Sequence, residues 1–275
     1  MTSNNAVVDR QGAENFGAAA RSAGVRRIIY LGGLGEKSHE ALSKHLKSRH
    51  EVEQILQDGA VPVTNLRAAM ILGSGSASFE MLRYLVDRLP IMITPRWVQT
   101  PCQPIAIRNV LDYLAGCLSA PATIGQTFDI GGPDVVTYRD LIHLYAEEAG
   151  LPRRIIFPVP VLTPMLSSYW LYLVTSVPPT TAMSLVEGLA HDYIGDDREM
   201  RELVPQRLLT FRESVAATLE AEKNHDVPAR WVEGSMACRD WNPKYAFYAK
   251  QYCSELTTTA SREAVFEVLQ QFGSD

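Results

Sequence analysis

Chemistry in this sequence is first offered by glycines at the end of an apolar run. Ile28-Ile29-Tyr30-Leu31 is followed by Gly32-Gly33-Leu34-Gly35 and a polar loop. Glycine lets the backbone approach a ligand closely, and in open α/β sheets such loops lie at the carboxyl ends of strands, where ligands bind. The plainer alternative is a tight turn and nothing more. A second group, Gly73-x-Gly75-x-x-Ser78, carries two of the three glycines of a GxGxxG diphosphate fingerprint. Its third position is Ser78, and the next apolar run ends in Thr94-Pro95-Arg96 without a ribose-binding acid. Arg96 alone is thin support for a 2′-phosphate site, so this loop reads better as one that holds no diphosphate. Cys102, Cys117, Cys238 and Cys253 form no CxxC pair and the six histidines are scattered, which leaves no metal-ligand spacing. Glu147 and Glu148 read as solvated helix surface.

The elements that must position these groups follow from spacing. Ala13, Phe16, Ala20 and Ala23 predict a helix over 9–23, stopped by Gly24. A buried strand over 26–31, a glycine loop and a helix over 42–57 come next. Residues 61–72 read as one strand running into the Gly73–Ser76 break, and 79–89 as a helix with Leu82, Leu85 and Val86 inward. A strand over 91–94, an extended piece over 103–107, a helix over 108–118 and a strand over 127–130 continue the alternation. Thr137-Tyr138-Arg139-Asp140 predicts a capping box opening a helix that ends near Gly150. The proline-rich stretch 151–181 predicts loops and short helices over the carboxyl edge of the sheet. Helical spacing returns over 182–204 and 211–222. Alternating strands and helices predict a doubly wound α/β sheet.

Composition narrows the classes. At 275 residues there is room for one or two domains, and 46% hydrophobic with 21% charged residues is ordinary for a globular chain. A net charge of -5 argues against a bulk nucleic-acid surface. No run of about 20 apolar residues spans a membrane. The first residues lack the apolar run of a signal peptide, and the cysteines form no disulfide framework, so a cytoplasmic location is expected. Composition changes near residue 223. Residues 223–230 read as a linker, and 231–275, with Trp231 and Trp241, an alternating stretch over 252–259 and a helix capped by Ser261, as the start of a second domain.

Several segments together resemble the atypical and extended short-chain dehydrogenase/reductases, which include sugar-nucleotide epimerases and NmrA-like proteins. Asn15-Phe16 through Gly24-Val25-Arg26-Arg27-Ile28-Ile29-Tyr30-Leu31 is similar to that family's fourth helix and fifth strand. Leu66-Arg67-Ala68-Ala69-Met70-Ile71-Leu72-Gly73-Ser74-Gly75 is similar to its RPxxVxGPG segment, and Gln103 to Val110 to its xxIxVxDV segment, with Asn109 where aspartate is common. Phe128-Asp129-Ile130-Gly131-Gly132-Pro133 is similar to YNIGGP. The tail resembles the junction with a START-like (polyketide cyclase-like) domain.

The resemblance implies a partial Rossmann-type parallel sheet lacking its first strands over 1–222, followed by an incomplete α+β START-like domain over 231–275. It implies NAD or NADP as cofactor, held by Gly32, Gly33, Leu34, Arg49, Arg67 and Ala68, and an unidentified small-molecule substrate. The first strand with GxxGxxG and the ribose reader are absent, so an N-terminally truncated sequence is expected. The family's catalytic YxxxK falls on His45-x-x-x-Arg49, and its serine on Gly32-Gly33, where there is no side chain. His45 would stand as general acid and Arg49 at the nicotinamide ribose; the alternative is a solvated basic helix face. Ser167-Ser168-Tyr169-Trp170 either lines a substrate pocket or packs. An oxidoreductase or epimerase-like protein is one reading, a catalytically silent nucleotide-binding scaffold or sensor (NmrA-like or complex I accessory-like) another. A hydrophobic-ligand carrier acting through the tail is a third.

Overall fold

In the computed structural model the described residues are 2–35, 44–159, 194–223, 260–262 and 264. The chain divides into two compact units, Met1–Cys238 and Arg239–Asp275. In the first, α1 (Thr2–Ser22) leads to β1 (Ile28–Gly33), α2 (Lys44–Gln57), β2 (Val63–Ala68) and β3 (Met70–Leu72). Then come α3 (Ala77–Arg88), β4 (Ile91–Pro95), β5 (Pro101–Cys102), β6 (Pro104–Ala106) and α4 (Ile107–Ser119). They are followed by β7 (Thr127–Ile130), β8 (Val136–Thr137), α5 (Tyr138–Glu148), β9 (Ile155–Val159), α6 (Arg198–Leu203) and α7 (Phe211–Lys223).

Strands β1, β2 and β7 form a parallel sheet in that order, with Gly32, Arg67 and Asp129 abreast, and Gly33, Ala68 and Ile130 abreast beyond them. β2 is the best-buried of the three, although Thr64, Asn65 and Arg67 lie within it. Ile28, Tyr30 and Val63 pack with Ala13 and Ala20 of α1 and with Val52, Ile55 and Leu56 of α2. Leu66, Ala68, Phe128 and Ile130 pack with Val110, Tyr113 and Cys117 of α4 and Met200 of α6. Helices on both faces make this a doubly wound parallel α/β sheet. A separate apolar cluster joins α3, α5 and α7 through Phe79, Val86, Tyr145, Phe211 and Val215, with the Phe79 and Tyr145 rings edge-on at 6.0 Å.

Three expectations are corrected. The single strand 61–72 is two strands, because β2 pairs with β1 and β7 whereas β3, beyond Ala69, pairs with β6. Gly32 and Gly33 are the last residues of β1 rather than its loop, paired with Arg67 and Ala68. The stretch 151–181 contains a strand, β9, parallel to β4; Pro158 is tolerated because β9 lies at the edge of a two-stranded sheet. The capping box is present: Thr137 Oγ1 accepts from the Asp140 N–H at 3.2 Å while Asp140 Oδ2 accepts from the Thr137 N–H at 3.1 Å. In the second unit, Ser261 Oγ accepts from the Ala264 N–H at 3.2 Å, the expected N-cap. The expectations for 160–193, including Ser167 to Trp170, and for 224–259, including Trp231 and Trp241, fall outside the described residues.

Candidate functional site

The carboxyl ends of β1, β2 and β7 bring Gly32, Gly33, Leu34, Arg67 and Ala68 together. The Leu34 N–H donates to the Ala68 carbonyl at 2.9 Å, carrying the β1–β2 ladder one residue past the strand. Leu34 is buried against Leu46 and Ala69. A Cβ at Gly33 would meet Leu46 Cδ2 at 2.9 Å, so the first turn of α2 rests on this glycine. A Cβ at Gly32 would lie 3.0 Å from Asn65 Oδ1 and 3.2 Å from the Tyr30 ring. Both glycines are therefore positions of close approach. Beneath Gly32, the fully buried Asn65 amide and the Tyr30 hydroxyl have no hydrogen-bond partner among the described residues.

Arg67 is committed within the protein. Its Nε and Nη2 donate to Asp129 Oδ1 at 2.8 and 2.6 Å, with the two side chains 21% and 17% exposed. Asp129 Oδ2 accepts from the Asp196 N–H at 3.3 Å. The pair thus braces β2 to β7 and to the segment entering α6, and Arg67 presents only the remainder of its guanidinium to a ligand.

His45 lies in the first turn of α2, next to Leu46; its side chain is outside the described residues. Arg49 follows one turn later. It shares an i, i+3/i+4 stripe with Leu46, Glu53 and Leu56, all buried, yet Arg49 itself is exposed. The first residue of that stripe, Leu46, is the one that rests on Gly33. The neighbouring polar residues are engaged: Ser48 donates to Asp9 of α1 at 2.8 Å, and His50 lies 3.2 Å from Glu53.

The Gly73–Ser78 loop is occupied by the protein itself. Gly75 has φ +81°, Gly73 has no room for a Cβ against Ile107, and the Gly75 N–H donates to Glu80 Oε1 at 3.4 Å. Glu80 is buried and paired with Arg83, whose Nε donates to Glu80 Oε2 at 3.0 Å. An internal carboxylate therefore stands where a diphosphate would need to sit. The side chain of Arg96 is outside the described residues.

Sequence reasoning missed a latch at the rim. Gln103 Nε2 donates to the Gly132 carbonyl at 3.0 Å and to Asp197 Oδ2 at 3.2 Å, and Gln103 Oε1 accepts from the Gly195 N–H at 3.3 Å. Arg201 joins through the same two acceptors, at 3.2 Å to Gly132 and 2.6 Å to Asp197. Gly131 would strike the Gln103 side chain with a Cβ, Gly132 the Pro104 carbonyl, and Gly195 the Asp129 side chain. The only sequence signal was the glycine pair after β7; nothing local pointed to residues 103 or 195–201.

No protein-family model matches the chain. Among curated proteins it is similar to a mitochondrial subunit 9 of the NADH dehydrogenase [ubiquinone] 1 alpha subcomplex from Arabidopsis thaliana. That likeness is 23% identity over 202 residues, 69% of this chain and 50% of the relative. The chain thus spans about half the length of the curated relative it matches. Among solved structures it resembles an NADPH-dependent quinone oxidoreductase of Escherichia coli complexed with NADPH (TM-score 0.60, 18% identity, 75% of this chain and 70% of that one). It also resembles a nucleoside-diphosphate-sugar epimerase of Staphylococcus aureus (0.57, 16%, 74% and 69%) and a triphenylmethane reductase of Citrobacter complexed with NADP(H) (0.59, 18%, 75% and 70%). Among the described residues no helix is long and apolar enough to cross a membrane. The chain shares the Rossmann-like α/β fold of these solved structures.

Proposed function

We propose that the protein binds a nicotinamide dinucleotide and is of oxidoreductase type, with the nicotinamide half over Gly32 and Gly33 and Arg49 at its ribose. The observation that carries this reading is Arg49, exposed on the α2 stripe whose first member, Leu46, rests on Gly33. What supports the nicotinamide half is the backbone of Gly32 and Gly33 at the strand end, with their Cβ sides taken by Leu46, Asn65 and Tyr30, together with Leu34, Ala68 and a cation. The diphosphate fits poorly, since the glycine loop before α3 is filled by Glu80. When bound, the dinucleotide supplies or accepts hydride. The chain's own part is to hold the ring over the glycines and, through His45, to give or take a proton at the substrate. A cytoplasmic location fits Cys102 and Cys117, free among the described residues, and 231–275 is read as START-like.

One observation favours a second reading, a silent nucleotide-binding scaffold. The strand end offers no hydroxyl at Gly32 or Gly33, and the curated relative is a subunit of an NADH dehydrogenase subcomplex, a name that makes no catalytic claim for the subunit itself.

Saturation-transfer NMR with reduced nicotinamide mononucleotide tests the binding. Charge-assisted hydrogen bonds are worth about 1.5–3 kcal/mol each and 1.4 kcal/mol is a decade, so Arg49→Ala should weaken binding roughly 10- to 100-fold. His45→Phe should leave it unchanged. Equal loss in both variants, or none in Arg49→Ala, overturns the assignment. Hydride transfer from NADPH to a quinone, abolished by His45→Phe, selects the enzyme over the scaffold.

A further inference from the structure

We infer that Asp129 determines specificity at the candidate site: it orients the Arg67 guanidinium toward the nicotinamide ring and selects a neutral carboxamide there over a carboxylate. The inference rests on the nicotinamide half binding at these strand ends.

A guanidinium is planar, with its three nitrogens at the corners. Arg67 Nε and Nη2 both donate to Asp129 Oδ1, at 2.8 and 2.6 Å. That edge of the plane is turned to Asp129, so Nη1 occupies the corner farthest from it. Arg67 on β2 stands abreast of Asp129 on β7 and of Gly32 on β1, with β2 between the other two strands. Nη1 accordingly lies on the Gly32 side of the guanidinium. It has no partner among the described residues, and Gly32 has no side chain that could accept from it. The Arg67 side chain is partly open to solvent. A donor left over at a strand end, beside one of the glycines assigned to the ring, suits an acceptor carried by the ligand.

The charge around Arg67 decides which acceptor. Asp129 is held from a second side as well: its Oδ2 accepts from the Asp196 N–H at 3.3 Å, and a Cβ at Gly195 would meet Asp129 Cβ at 2.6 Å. An incoming anion therefore cannot simply replace it. A ligand carboxylate at Nη1 would face Asp129 across a guanidinium whose charge is already matched. The neighbouring rim supplies no compensation, because Arg198 is paired with Asp196 and Arg201 with Asp197, each at 2.6 Å. A neutral carbonyl oxygen takes the Nη1 bond without that repulsion, and the carboxamide of nicotinamide offers one. Arg49 does not alter the choice, since the ribose assigned to it is common to the amide and the acid.

Nicotinamide mononucleotide and nicotinic acid mononucleotide share ribose and phosphate and differ, near neutral pH, only in amide against carboxylate. Competition in saturation-transfer NMR gives the ratio of their dissociation constants. The parent should favour the amide by about 5-fold or more. Asp129→Asn keeps the shape and removes the charge, and should shift the ratio toward the acid by about 10-fold. Asp112→Asn, on the exposed face of α4, controls for net charge and should leave the ratio where it is. Arg67→Lys keeps a cation beside Asp129 but has no third nitrogen. It should weaken the amide about 10-fold and the acid by less than about 3-fold. A pair that only braces the strands would weaken both ligands alike. If Asp129→Asn fails to fold, Arg67→Lys still decides. A parent that favours the acid, an Asp129→Asn ratio equal to the parent's, or equal losses for both ligands in Arg67→Lys overturns the inference and leaves the nicotinamide reading standing. A parent that binds neither mononucleotide overturns both.

Discussion

Replacing Asn109 by aspartate keeps the shape of a buried side chain and reverses half of its hydrogen bonding. Asn109 opens α4 and is 2% exposed. Its Nδ2 donates to Gln206 Oε1 at 2.7 Å and to the Arg207 carbonyl at 2.9 Å, and its Oδ1 accepts from the Leu209 N–H at 2.9 Å. Aspartate preserves the last bond and leaves two acceptors facing a carboxylate oxygen. Gln206 cannot repair this by turning its amide, because its Nε2 already donates to the Asn109 carbonyl at 3.1 Å. A fully buried acceptor without a donor costs about 1–3 kcal/mol; these two are part-buried, so the variant should lose roughly 1–4 kcal/mol, a sizeable part of the ~5–15 kcal/mol that holds a domain folded. Protonation relieves part of the cost, since the neutral acid donates one bond. The folded-state pKa of the new carboxyl is therefore raised. Its penalty is full above that pKa and shrinks as pH falls toward the unfolded value of about 3.9. Urea unfolding at pH 7 should show the midpoint lowered by about 1–2 M at constant slope, and less at pH 5. A midpoint at pH 7 within about 0.2 M of the parent would refute the reasoning, and with it the claim that the 206–209 loop demands an amide.

Other outcomes follow from single positions. Burial pushes the Cys102 thiol from 9.0 up to about 12, partly offset by a hydrogen bond with Tyr138. Native protein should leave Cys102 unlabelled by iodoacetamide at pH 8. Its contribution to stability should fall by about 1.4 kcal/mol per pH unit between 9, where the unfolded thiol ionises, and about 12, as read by thermal melts across that range. Gly132→Ala would set a Cβ 2.1 Å from the Pro104 carbonyl and should cost several kcal/mol, about 3 or more, in a urea melt. Gly24→Ala has open space and a φ of +67°, so its cost should be only the left-handed strain of about 1–2 kcal/mol; equal costs at the two glycines would contradict this contrast.

Local chemistry made part of this fold legible. The capping box at Thr137 and the helices over α3 and α4 are short-range patterns, and they stand where spacing predicts. The β2–β3 break at Ala69 was hidden because both halves are apolar; only the choice of neighbour separates them. Strand β9 was hidden for a related reason. Ile155 and Phe157 face outward but are apolar, so the inward Ile156 made no alternation, and Pro158 read as a loop residue. At the site, the glycines were visible and their confinement within β1 was not. Asp129 as the partner of Arg67 and Gln103 as the partner of Gly132 and Asp197 depend on residues far apart in sequence, which no periodicity encodes. Glu80 in the Gly73–Ser78 loop was masked by its place on a helix, where a carboxylate reads as surface.

The Gln103 latch also has a consequence for the order in which the molecule assembles. Its three bonds join residues 103, 132, 195 and 197, so the spans to be closed are 29, 92 and 94 residues long. Contacts across such spans form late, after the loop entropy has been met by the sheet and its helices. They are also lost early when the native state fluctuates, because residues 194–197 have no helix or strand of their own to hold them. The rim between β7 and α6 should then behave as its own cooperative unit, with the Gly195 amide exchanging well before those of β2. Access to the strand ends would be set by the opening of that unit, on a timescale separate from the unfolding of the core.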